Sequence, residues 1–111
     1  MAHPNEVTRR RFPRYKFETG VLIGLMRGDT PTMVEGFCTI LGEGGAGVRT
    51  KEQLKVDEIV YLQIPLPKRL LKLPASVRYQ HGSDSGFEFL ALGTAERKFI
   101  RDSCRSFPRV G

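Results

Sequence analysis

Four of the six residues from Arg9 to Arg14 are arginine, in the order Arg9-Arg10-Arg11-Phe12-Pro13-Arg14. Each guanidinium is permanently charged and presents a planar fork of donors that fits a phosphate or the edge of a guanine. Pro13 has no backbone N–H and pushes Phe12 out of the helical region. The stretch is therefore predicted as an extended or turning connector leading into a strand near Tyr15. In such a connector Arg10 and Arg14 can converge on one anion while Phe12 packs down. The same residues also fit a disordered basic tail ahead of a domain that starts at Arg14.

A second stretch, Leu41-Gly42-Glu43-Gly44-Gly45-Ala46-Gly47-Val48, holds four glycines in six residues. Such a run suits a tight turn or bulge with positive φ angles and backbone open to a close neighbour. It is not a P-loop, which ends in Gly-Lys-Ser/Thr and opens a helix, and strands rather than a strand and a helix flank it. A hairpin in an antiparallel sheet is the expectation.

No other residues assemble a reaction centre. The two histidines, His3 and His81, are isolated, the serines lie mostly in turns, and no carboxylate pair is framed by apolar sequence. Cys38 and Cys104 lack the spacing of a zinc site or a disulfide framework and read as free thiols of a reducing cytosol. An enzyme is not expected, nor a cofactor or a metal. The N-terminus has no secretory pattern and no run approaches a membrane span, so a cytoplasmic protein without membrane insertion is expected. The chain of 111 residues fits one domain, with residues 1–8 as a tail and 9–111 folded. Its net charge of +6, concentrated at Arg9–Lys16 and Arg97–Arg109, favours an anionic partner. Nucleic acid is disfavoured, because the aromatics fall at core spacings and form no stacking platform.

The elements that must hold these residues are mostly strands. Phe17, Val21, Ile23 and Leu25 alternate with polar residues, Arg27–Pro31 supplies a turn, and Thr32–Ile40 reads as a second strand with Val34 and Cys38 inward. After the glycine loop come a short strand at Val48–Thr50 and a strand at Ile59–Ile64, apolar on nearly both faces and thus central. Leu70–Leu73 and Ala75–Gln80 read as strand, the latter half-buried, and His81–Gly86 is a hairpin leading to Phe87–Phe89. The period then changes to that of a helix. Thr94 is its expected N-cap, and Phe99, Ile100, Cys104 and Phe107 form one apolar stripe that Pro108 ends. About six strands and one helix suggest an antiparallel barrel or strongly curved sheet.

Arg10-Arg11-Phe12-Pro13-Arg14 resembles the R-x-x-x-R signature of PilZ domains. The glycine loop stands where that family carries [Asp/Asn]-x-Ser-x-x-Gly, and Val77-Arg78-Tyr79 and Gly86-Phe87-Glu88-Phe89-Leu90 look like its closing strands. The resemblance covers about residues 9–107. It implies a six-stranded antiparallel β-barrel with a C-terminal α-helix that binds cyclic di-GMP as a regulatory ligand. The signature arginines, Arg10 and Arg14, would clamp phosphates and guanine edges, with Arg9 as a third contact. Counted back from Gly45, Ile40 stands at the acidic or amide position and Gly42 at the serine position, so two polar side chains of the pattern are missing. Thr39, one residue earlier, would need a register slip that turns it to the other face. Two readings follow: a cyclic di-GMP sensor that signals through an unidentified protein partner, and an adaptor of the same fold that binds no nucleotide.

Overall fold

The computed structural model describes residues 12–110. Strands β1 (Arg14–Arg27) and β2 (Thr30–Gly42) form a long hairpin whose turn uses Gly28 at φ 61°. That left-handed backbone is cheap for glycine and costly for most side chains. Strands β3 (Gly45–Arg49), β4 (Ile59–Pro65), β5 (Leu70–His81) and β6 (Asp84–Phe89) follow. Helix α1 (Thr94–Cys104) and a two-residue strand β7 (Arg109–Val110) end the described chain.

Every pairing is antiparallel, in the order β2-β3-β6-β5-β4-β1-β7. β1 also pairs with β2, which closes six strands into a barrel and leaves β7 as a short addition beside β1. Closure follows from the alternation in the sequence: Val21, Ile23 and Leu25 of β1, Val60, Leu62 and Ile64 of β4, and Leu71, Leu73, Ala75 and Val77 of β5 all point into one core. Ile100 and Cys104 of α1 complete it.

Several local expectations are corrected. The two stretches on either side of Pro74 are one strand, because Pro74 accepts a hydrogen bond from the Leu90 N–H and needs no donor of its own. β4 is apolar on both faces yet buried on one, with Ile59 and Tyr61 left exposed on the outer wall. Gly93, not Thr94, occupies the N-cap position of α1, and its N–H donates to Glu96 Oε1 at 3.2 Å. Phe107 lies beyond the helix, which ends at Cys104, and stacks on Phe17 with ring centroids 4.5 Å apart.

Candidate functional site

The basic connector and the glycine turn meet at one corner of the barrel. Arg14 is the register partner of Gly42, and Lys16 of Ile40. Directly before β1, the Pro13 carbonyl oxygen lies 2.9 Å from where a Cβ would stand on Gly42. The Phe12 ring lies equally close, 2.9 Å, to the corresponding point on Gly44. The connector thus covers the Glu43-Gly44 turn, and the two glycines are what let it lie so close. Neither has a positive φ, contrary to the expectation for this loop; among the described glycines that conformation belongs to Gly28 and Gly82.

Gly45 serves a different contact. A side chain there would run into the Phe87 carbonyl of β6, so glycine at this position allows β3 to close onto its neighbour. Ile40 sits in a bulge. The pairing of β2 with β3 is irregular between Cys38 and Ile40, so Cys38 and Leu41 both point into the core. Thr39 and Ile40 then stand together opposite Gly47, with Thr39 Oγ1 3.7 Å and Ile40 Cβ 3.6 Å from its ideal Cβ position. The expectation that Thr39 turns to the other face fails for this reason: the extra residue is absorbed locally rather than by a slip of the whole strand.

Helix α1 brings the second basic cluster to the same corner. The Arg97 guanidinium carbon lies 5.7 Å from the Phe12 ring centroid, and Arg101 pairs with Glu43 of the turn at 3.4 Å. Arg14, Lys16 and Arg97 have no carboxylate partner within salt-bridge distance among the described residues. A cluster of cations without carboxylate partners, beside the glycine turn and one hydroxyl, is chemically suited to a multivalent anion. Arg9 and Arg10 lie outside the described residues, so of the sequence-level candidates the structure brings together Arg14, Ile40, Gly42 and Gly45. Sequence reasoning did not connect Arg97 or Arg101 to this corner. The basic character of the C-terminal segment was visible, but its placement depends on how α1 docks.

Elsewhere, His81 stacks on Tyr79 with centroids 5.3 Å apart on the exposed surface. Burial pushes the Cys38 thiol up to about 12 and the Cys104 thiol to about 11. Among the described residues no group of His, Cys, Asp and Glu is arranged to hold a metal ion, and no helix is long and apolar enough to cross a membrane.

A closed six-strand barrel with a terminal helix thus carries this basic corner. The PilZ domain family model matches residues 8–106, and the chain belongs to that family, whose typical member is a cyclic di-GMP receptor. Three solved structures share its fold. The PilZ domain of CeSA from a cellulose-synthesizing bacterium superposes with a TM-score of 0.66 at 20% identity, covering 82% of this chain and 93% of that one. The PilZ domain of YcgR from Escherichia coli, solved with c-di-GMP, gives 0.71 at 13% identity over 89% and 91%. The inhibitor of motility MotI/DgrA of Bacillus subtilis gives 0.70 at 18% identity; 86% of this chain is covered but 49% of that protein. No curated protein sequence matches the chain.

Proposed function

We propose that this domain is a sensor for cyclic di-GMP that acts through a protein partner. The observation that carries the reading is the pairing of Arg14, free of any carboxylate among the described residues, with Gly42 of the second motif on the adjacent strand. The family membership and the ligand-bound YcgR domain support the choice of ligand. Arg10 and Arg14 bind phosphate oxygens and the O6 and N7 acceptors of guanine, with Arg9 adding a third contact. Ile40 and Gly42 offer the guanine no side-chain hydrogen bond. The Thr39 hydroxyl, beside Ile40 on the outer face, takes over part of that role. Gly45 contributes by letting the strands close beneath the site.

The second reading is an adaptor of the same fold that binds no nucleotide. It is favoured by the Pro13 carbonyl, which fills the space where the motif's serine side chain would start. Calorimetric titration with cyclic di-GMP separates the two. The sensor predicts measurable binding that weakens by about 1.5–3 kcal/mol in Arg10→Ala or Arg14→Ala, the range for hydrogen bonds to charged groups. Absence of binding by the unaltered chain at high micromolar ligand selects the adaptor.

A further inference from the structure

Helix α1 and its C-cap carry four cations, Arg97, Lys98, Arg101 and Arg105, and carboxylates hold three of them. Lys98 lies 2.6 Å from Asp102, Arg105 lies 3.4 Å from the same residue, and Arg101 lies 3.4 Å from Glu43. Arg97 is the exception. It has no carboxylate partner among the described residues, and its side chain donates no hydrogen bond among them. The adjacent carboxylate, Glu96, is engaged elsewhere and accepts the Gly93 N–H at 3.2 Å. Arg97 stands instead beside the Phe12 ring, 5.7 Å from its centroid. An exposed cation–π contact holds an arginine loosely and leaves its N–H donors open to an anion.

Two contacts fix where this guanidinium stands. Arg97 and Arg101 are four residues apart and therefore share one face of the helix. Arg101 ties that face to Glu43, which lies between Gly42 and Gly44 in the turn and whose side chain is only 14% exposed. One helical turn back along that face, Arg97 meets Phe12, whose ring approaches Gly44 and which stands two residues before Arg14. The helix thus sets an unclaimed fork of donors beside both motifs at once. We infer that Arg97 is a ligand-binding residue of this domain, donating from α1 to a phosphodiester of the ligand that Arg14 holds from β1. This inference rests on the sensor reading above. A guanidinium fork matches two phosphate oxygens, and a phosphodiester brings the negative charge that the other three cations find in a carboxylate. Arg97 in this way offsets part of the contact that Ile40 and Gly42 do not offer.

Calorimetric titration of the full chain and its variants with cyclic di-GMP tests the inference. Arg97 is exposed, so its variants are expected to fold. Arg97→Gln should raise the dissociation constant about tenfold or more, as for a lost hydrogen bond to a charged group. Arg97→Lys keeps the charge without the fork and should raise it less. Arg105→Gln removes the same charge from the C-cap of the same helix and should leave the affinity unchanged. Phe12→Leu separates contact from support: with the ring gone, Arg97→Gln should still weaken binding. An unaltered chain that binds, with Arg97→Gln binding as well, overturns the inference and leaves the sensor reading standing. So does an equal loss in Arg105→Gln, which makes the effect one of net charge. The same holds if Arg97→Gln costs nothing in the Phe12→Leu chain, which makes Arg97 a prop for the ring. No binding by the unaltered chain at high micromolar ligand overturns the sensor reading itself, and this inference with it.

Discussion

The Pro13 carbonyl oxygen stands 2.9 Å from the point where a side chain would leave Gly42. The second signature arginine follows Pro13 directly, so the space left by the missing serine is occupied by the backbone that carries the first motif. The two departures from the family pattern are therefore unequal. Ile40 is partly exposed beside Gly47, where a carboxylate has room and water. Gly42 is buried, and any Cβ there must displace backbone.

Ile40→Asp is accordingly expected to leave the fold intact and to strengthen cyclic di-GMP binding about tenfold, the value of one charge-assisted hydrogen bond. Gly42→Ser is expected to cost about 1–3 kcal/mol of stability, as for an overpacked site. Titration calorimetry and melting temperature, recorded on both variants, check the pair. An Ile40→Asp protein that folds but binds no better would mean this bulge does not face the ligand.

The helix anchors the barrel through one residue more than the other. Ile100 is fully buried, whereas Phe99 is half-buried under the Arg69 guanidinium, 4.1 Å from its ring centroid. Ile100→Ala should cost about 2–5 kcal/mol through loss of burial and the cavity left behind. Phe99→Ala should cost less, because part of its surface already faces water. Chemical denaturation of both variants gives the ranking; a larger loss at Phe99 would contradict this account of the packing.

At Gly45 the obstacle is the Phe87 carbonyl on the neighbouring strand, which has no freedom to rotate away. Gly45→Ala is expected to destabilise the protein by about 2–4 kcal/mol. It should also speed hydrogen exchange at Phe89, whose N–H donates to the Gly44 carbonyl at 2.9 Å. Unchanged exchange there would show that the strand junction tolerates the extra carbon.

The two buried thiols make stability fall in alkali. Burial raises Cys38 from 9.0 to about 12 and Cys104 from 9.0 to about 11. The folded state therefore holds both protons at pH values where the unfolded chain has lost them. Their contribution is fully present below pH 9 and is lost progressively as pH climbs from there toward 11–12. The double variant Cys38→Ala, Cys104→Ala, though less stable at neutral pH, should show a shallower alkaline decline in urea midpoint. A native chain whose thiols react quickly with a disulfide reagent at pH 8 would contradict their burial.

The strands were legible in the sequence because a half-buried strand writes its period into the side chains. Val21, Ile23 and Leu25 alternate with outward neighbours and are found in the core. The arginine signature and the turn at Gly42–Gly45 were legible as types in order. That Arg14 and Gly42 are register partners was not, since their pairing depends on a bulge at Lys16/Thr19 that no local pattern specifies. A second bulge, at Cys38/Ile40 in the pairing of β2 with β3, puts Thr39 beside Ile40, against the alternation that sequence periodicity assumes. The tertiary structure alone decided that Arg97 comes within reach of Phe12 across 85 residues of chain, because helix docking is set by the shape of the finished barrel. It also decided that Ile59 and Tyr61 face outward. Hydrophobic composition says that a strand has two apolar faces, but in a closed barrel only one of them can reach the core.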